Sequence, residues 1–553
     1  MTDLDDLDKV LDVIDESGVA TRIDAWLKTR PGVKSTMPTH VVLLALILAA
    51  GMGGGFAGRL HRATRILLLL DHNTWRRLGM PRDVRRGKKL ANLTAHQKNR
   101  ERRLFYRRFW RKWHAITEWM VLPHEETGWT NERWMMRALL NASLPEHVRE
   151  YDSLAIDAGP TKASFAEIAR DDLDPDVHDV TWRVREYTGG VDSKSVKRVL
   201  GYQNTTVLRI DPTSDDPTAW IGAISIDTGS APEIDVALDL LDVIATDTPV
   251  LDLVVADRGY TRSARFHDKV HSLHGDVVMD LTEFQHTSEQ MAGGALNING
   301  AAYSPATPEH LRNPRRRTIS EPLQAWLEEH ERLYGLYRLP HHTLPDVHGQ
   351  LRLSCPALRN RLDCDQRDQQ GKDDLLPVFA PVSAKARKVC TRPAITVTRD
   401  DYVIVRPANK KGQPERRIHT YQPLAYGTFE WAMVYAPWRS RLEGSIGTLS
   451  EHHGLWGGRH GFKVRGRPKV ALLAICAAVA FNLTRQGHFL PDHGTQDCSD
   501  DTQLDPPPAK VKSLRRILRQ RRQTRDALRR DGCDCPAPTS PSTTHDSDPP
   551  TTR

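Results

Sequence analysis

The chain has 553 residues, 39 % hydrophobic and 27 % charged, with a formal net charge of +8. Such a length exceeds one hydrophobic core and predicts about three or four folding units, and the composition excludes a chain that is disordered throughout. The apolar run Val41–Met52 is shorter than the ~20 residues of a membrane span, so no membrane partner is expected. The acidic opening Met1-Thr-Asp-Leu-Asp-Asp6 is no cationic signal peptide. Seven cysteines suit a reducing, cytoplasmic setting better than a disulfide scaffold.

Residues 1–150 read as helices. Leu4, Leu7, Leu11 and Ile14 recur at helical spacing, Ile23, Trp26 and Leu27 follow, and Val41–Ala50 predicts a buried helix entered after Pro38. No Gly or Pro interrupts Thr94–Leu122, where Phe105, Phe109, Trp113, Ile116 and Met120 form one apolar stripe. Arg103, Arg107, Arg108 and Arg111 fall on other faces of that helix. Between Arg82 and Lys112, thirteen Lys/Arg stand against Asp83 and Glu101; between Lys510 and Arg530, ten stand against Asp526. Clustered cations are the footprint of a polyanion partner. Residues 1–150 are therefore expected to form a helical DNA-binding domain that sets Arg103, Arg107, Arg108, Arg111 and Lys112 on phosphates. A merely solubilising helix face is the alternative.

Residues 151–281 change character. Ser153–Asp157 predicts a short strand ending in an acid, Gly201–Ile210 and Ala219–Ile226 two further strands, and Ile234–Ile244 a helix. Leu251–Asp257 is another apolar strand closed by Asp, followed by a helix over Thr261–Leu273 and a strand over Asp276–Asp280. Strand pairs followed by strand–helix–strand indicate an α/β mixed sheet flanked by helices. Residues 282–430 are less periodic and read as a β-rich insertion, with strands at Ala394–Val397 and Tyr402–Arg406. Residues 431–486 return to helix, at Trp438–Leu449 and Val470–Thr484. Residues 487–553 read as a disordered basic tail carrying one Arg-dense helical stretch.

Asp157 and Asp257 both close apolar runs. Burying a carboxylate costs several kcal/mol unless it is paired or bound to a cation, and two such acids facing one cleft repel. A divalent ion relieves that repulsion, and all-oxygen ligands select Mg²⁺ or Mn²⁺. Arg258 and Tyr260 in Asp257-Arg-Gly-Tyr260 place a cation and a phenol beside the acid. Arg439 and Glu443, four residues apart on one helix, add a guanidinium and a third carboxylate.

Asp157, the Asp257-Arg-Gly-Tyr260 motif and Tyr435…Arg439-Ser-Arg-Leu-Glu443 together resemble bacterial insertion-sequence transposases of the DDE type. The resemblance covers roughly residues 150 to 485 and is nearest to members with a β-rich insertion ahead of the glutamate helix. Three residues separate Tyr435 from Arg439 where that family has two, and Ser450 stands where it has lysine. The resemblance implies a ribonuclease H-like core in which Asp157, Asp257 and Glu443 hold two Mg²⁺ or Mn²⁺ ions for strand cleavage and strand transfer. Asp157 would be shared between the ions, and Arg258, Tyr260, Tyr435 and Arg439 would lie near the DNA phosphate, Tyr260 either orienting a backbone oxygen or only packing. It further implies DNA partners (terminal inverted repeats and target), a homodimer on DNA and a nucleoid-associated, cytoplasmic location. A nuclease of the same fold without strand joining, or an inactive DNA-binding derivative, are the rival readings.

Cys355, Cys364 and Cys390 in the insertion, near His341, His342 and His348, offer thiols for a structural zinc, although their spacing is not finger-like and three unlinked thiols is the simpler expectation. No Gly-x4-Gly-Lys-Ser/Thr, His-Glu-x-x-His or Gly-x-Ser-x-Gly motif occurs, which argues against phosphate-loop ATPases, the common metalloproteases and α/β-hydrolases.

Overall fold

A computed structural model describes residues 4–30, 37–52, 60–80, 94–162, 181–189, 193–213, 218–281, 288–291, 294–305, 307–315, 317–318, 320–341, 350–354, 356, 362–364, 379–381, 395–406, 416–455, 464, 466–489 and 504–530. The N-terminal part is helical: α1 (Leu4–Ser17), α2 (Val19–Thr29), α3 (Thr39–Gly51), α4 (Leu60–Leu69), α5 (His72–Arg77), α6 (Ala95–Met120), α7 (Asn131–Ala142) and the short α8 (Glu146–Arg149). The long α6 starts with a capping box. Thr94 Oγ1 accepts from the Gln97 amide at 3.3 Å, and the Gln97 side chain accepts from the Thr94 amide at 2.9 Å.

The sheet is built from β1 (Ser153–Lys162), β2 (Thr181–Gly189), β3 (Ser193–Ile210), β4 (Trp220–Thr228), β5 (Leu253–Ala256) and β6 (Asp276–Met279). The order across it is β4-β3-β1-β5-β6, with β2 paired to the N-terminal half of β3. β3 runs antiparallel to β1 and β4, whereas β1, β5 and β6 are parallel. β1 continues past Asp157 to Lys162, because β3 keeps pairing with it as far as Gly201; the expected short strand ending at the acid is corrected in that respect. Helices α9 (Glu233–Ala245) and α10 (Ala264–Ser272) connect the parallel strands, as parallel pairing requires a crossover.

Beyond β6 come β7 (Ser288–Gln290), β8 (Leu296–Ile298), β9 (Ala301–Tyr303), α11 (Leu323–Tyr334), β10 (Leu351–Leu353), β11 (Leu362–Cys364), β12 (Phe379–Pro381), β13 (Ile395–Val397), β14 (Val403–Arg406) and β15 (Arg416–His419). These short strands form one three-stranded and three two-stranded sheets. Gly300 (φ +76°) allows the β8–β9 turn to meet the chain near β15: a Cβ there would stand 1.8 Å from the Thr420 carbonyl oxygen. Three helices follow, α12 (Phe429–Glu451), α13 (Arg467–Arg485) and α14 (Pro508–Arg530).

Helix α13 is apolar on all sides because it is surrounded. It packs against β4, α3 and α7. It is the one described helix long and apolar enough to cross a membrane by length and composition, yet 78 % of that apolar window is buried inside the protein. Its buried Asn482 joins two layers: the side chain accepts from the Ile221 amide at 2.9 Å and donates to the Ile221 carbonyl at 3.0 Å and to Ser143 Oγ at 2.9 Å. The same apolar cluster runs from Leu7 in α1 through the sheet to Leu518 in α14. The N-terminal helices therefore share a core with the sheet, where the sequence predicts a separate domain over 1–150.

The Arg-dense helical stretch expected in the tail is α14, and it is not free of the fold. Within 487–553, α14 is docked under the sheet by ion pairs at the start of each parallel strand. Arg521 Nε donates to Asp252 Oδ1 at 2.6 Å and its Nη1 to Asp276 Oδ2 at 2.8 Å. Arg525 reaches Asp152 at 2.9 Å and Asp252 at 2.5 Å, and Arg529 reaches Asp152 at 2.9 Å. An aspartate at or immediately before the start of each of β1, β5 and β6 is thus neutralised by this helix.

Candidate active site

The opposite ends of the same three strands gather the other acids. Ile156 is level with Ala256, and Ala256 with Met279, so Asp157, Asp257 and Asp280 follow at one level on neighbouring strands. Adjacent strands lie about 4.8 Å apart, which sets the acids in a row along the sheet's edge. Asp157 is held by Ala158, whose amide donates to Oδ1 at 2.8 Å. Asp257 Oδ1 accepts from the Gly259 amide. Glycine at 259 eases that approach, since a Cβ there would stand 2.9 Å from the same oxygen and the Asp257 side chain would have to shift.

Helix α12 brings Glu443 to these aspartates. Its first turn is capped by Thr428 Oγ1, which accepts from the Trp431 amide at 3.2 Å. Arg439 then lies between two carboxylates: Nη1 is 3.2 Å from Asp157 Oδ2, and Nη2 donates to Glu443 Oε1 at 2.8 Å. Its side chain is 14 % exposed and that of Glu443 65 %. The sequence rivals of Glu443 stand elsewhere. Glu430 is buried 3.8 Å from Lys510, and Glu451 is the exposed last residue of the helix. Ser450, where the resemblance places a lysine, is buried and donates to the Ile446 carbonyl at 2.6 Å.

The electrostatics follow from this crowding. Burial pushes the Asp157 carboxyl above its ordinary value, Arg439 opposes that rise, and the charge of Asp257 adds to it. Burial works against the Arg439 charge, but Asp157, Tyr435, Glu443 and Asp257 outweigh it and hold the guanidinium more firmly protonated than usual. Tyr260 is fully buried against Phe266, with ring centroids 4.9 Å apart. Burial and the charges of Glu233, Asp157 and Asp257 keep its phenol neutral. Tyr435 stacks on Trp431 at 4.8 Å and faces Asp280, Arg439, Asp257 and Glu443, its hydroxyl likewise pushed up by burial. Of the sequence-predicted neighbours, Arg258 is exposed beside Asp257.

The donor set is all carboxylate oxygen, which fits a hard divalent cation. Among the described residues no three His, Cys, Asp or Glu side chains are close enough to hold a metal ion. Arg439 instead supplies the positive charge that Asp157 and Glu443 share. The suggested zinc thiols Cys355 and Cys390, and the side chain of Cys364, lie outside the described residues.

Residues 149–355 match the family model described as the transposase DDE domain. The chain carries a DDE transposase domain. The match contains Asp157 and Asp257 and ends ahead of the glutamate helix. The mixed α/β architecture agrees with a DDE domain, which belongs to DNA-processing enzymes. A search of curated proteins found no match.

Sequence reasoning missed Asp280 as a neighbour of this site. The available signal was a repeated pattern, since Asp152…Asp157, Asp252…Asp257 and Asp276…Asp280 each bracket an apolar strand with acids.

On α6, Arg103, Arg107 and Arg111 are exposed and Arg108 is partly covered. Lys112 is not a surface cation. Three residues after Phe109 and four before Ile116, it lies on the apolar stripe, is 3 % exposed, and its Nζ is 2.7 Å from Asp24 Oδ1. Its proposed DNA contact is therefore corrected to an internal ion pair. Lys112→Met should leave duplex-DNA affinity unchanged while lowering stability by about 1.5–3 kcal/mol, the worth of a hydrogen bond to a charged group. Urea denaturation and a DNA titration on one preparation check both halves.

Proposed function

We propose that the protein is a transposase that binds the terminal inverted repeats of its element and catalyses metal-dependent strand cleavage and strand transfer, a cut-and-paste transposition. The observation that carries this reading is the Arg439 bridge, which joins Asp157 in the sheet to Glu443 on α12 beside Asp257. The strand order β4-β3-β1-β5-β6, with only β3 reversed, supports a ribonuclease H-like core.

Asp157, Asp257 and Glu443 would hold two Mg²⁺ or Mn²⁺ ions, Asp157 being shared. Bound there, such ions supply Lewis acidity to the scissile phosphate and lower the pKa of an attacking water or 3′-hydroxyl. Arg439 then becomes available for a phosphate oxygen, which a guanidinium binds bidentately. Neutral Tyr435 and Tyr260 carry no charge that would repel DNA, and Tyr260, fully buried on Phe266, packs rather than touches the substrate. Exposed Arg103, Arg107 and Arg111 on α6 hold the backbone of the element ends. A homodimer on DNA brings two ends together, acting on nucleoid DNA in the cytoplasm.

The test is a strand-transfer assay with Mg²⁺ and pre-cut element ends, in which joined product is expected. Nicked product alone would make the protein a nuclease of the same fold. Bound but unreacted DNA would make it an inactive derivative.

A further inference from the structure

Helix α14 carries more positive charge than the fold uses. Its buried face consists of Leu514, Leu518, Arg521 and Arg525. Arg521, Arg525 and Arg529 neutralise the strand-start aspartates, and Lys510 is 2.7 Å from Glu331. At about 100° per residue, Lys512, Arg516 and Arg519 lie on the opposite side and Arg522 on the flank beside them. All four are exposed, and none has a hydrogen bond or ion pair among the described residues. The helix's single acid, Asp526, is 3.7 Å from Arg529.

Like charges three and four residues apart repel each other along a helix, so this row weakens the helix that bears it unless a polyanion lies alongside. The row spans about 15 Å of helix axis. Lys512 and Arg516, with Ser513 and Gln520, also form one wall of a cavity of about 770 Å³ between α14 and the insertion, opposite His341 and Ser354. The helix packs against α12, which carries Glu443.

We infer that the outer face of α14 is a second DNA-backbone surface, one that holds duplex phosphates independently of sequence and leads them along the glutamate helix. The inference rests on the DNA-processing reading above. The inner arginines dock the helix, and the outer cations take the phosphates. The charges involved belong to lysine and arginine side chains spread over the outer face and flank of one helix, which suits a backbone contact rather than base readout.

The test compares wild type with a variant carrying Lys512→Gln, Arg516→Gln, Arg519→Gln and Arg522→Gln, using a labelled duplex of arbitrary sequence. Affinity is followed between about 50 and 200 mM salt, where each neutralised phosphate contributes about −0.9 to the slope of log K against log salt. The expected result is a slope shallower by about 3–4 and weaker binding at low salt, with a thermal midpoint that does not fall, because Arg521 and Arg525 are intact. The single variants Arg519→Gln and Arg522→Gln should each remove about 0.9, which keeps the test decisive if the quadruple variant folds poorly. An unchanged slope overturns the inference. A parallel variant with Arg103→Gln, Arg107→Gln and Arg111→Gln separates the two failures. If only that one flattens the slope, DNA binding stands and the α14 surface falls, whereas a wild type that binds no duplex removes both.

Discussion

Asp157→Asn should lower strand cleavage by about 10³-fold or more while leaving DNA binding and stability intact. The magnitude follows from removing the carboxylate shared by both proposed ions: several kcal/mol of transition-state stabilisation, at 1.36 kcal/mol per tenfold. The substitution keeps the shape of the side chain, and Arg439 retains Glu443 as a partner at 2.8 Å. Stability should hold or rise. Burial and Asp257 raise the Asp157 pKa on folding, so its ionised form at neutral pH opposes folding and a neutral amide relieves that cost. A rate assay on pre-cut ends, a DNA titration and a thermal melt measure the three quantities. Cleavage within tenfold of wild type would remove Asp157 from the reaction.

Arg521→Met should destabilise the protein by about 3–5 kcal/mol, the usual cost of breaking a buried pair from one side. The guanidinium is buried and serves Asp252 and Asp276 together, so its loss leaves two desolvated carboxylates. Burial by itself would raise the Asp276 carboxyl, but Arg521 and Arg399 outweigh it and hold it at about 2. A folded pKa below the ordinary 3.8 means that this carboxylate stabilises the fold above pH ~4 and loses that contribution as pH falls toward 2. The gap between wild type and variant should therefore be widest at neutral pH and should narrow from pH 4 downward. Urea midpoints measured across that range test it, and equal midpoints at neutral pH would show that the clamp contributes nothing.

Local pattern made much of this protein readable. Apolar runs of strand length announced β1, β5 and β6, and the three-to-four-residue recurrence of Phe105, Phe109, Trp113 and Ile116 announced α6, because periodicity reports which face of an element is buried. Asp157 and Asp257 stood out since an acid closing an apolar run must be neutralised by something. Lys112 was misread for the opposite reason. Its neighbours are arginines that reach solvent, and only the packing of α2 beside α6 supplies Asp24 as its counter-ion.

By itself, the order of residues determined the strand acids, the glutamate helix with its Arg439–Glu443 spacing and the location of the cationic segments, since these depend on neighbours a few positions away. Tertiary structure alone decided that Asp280 stands level with Asp257, that Arg439 joins Asp157 to Glu443, and that α14 divides its arginines between a buried clamp and an exposed row. Strand register and helix docking are set by contacts between different elements, some of them hundreds of positions apart, and no local periodicity encodes which distant carboxylate a guanidinium will meet.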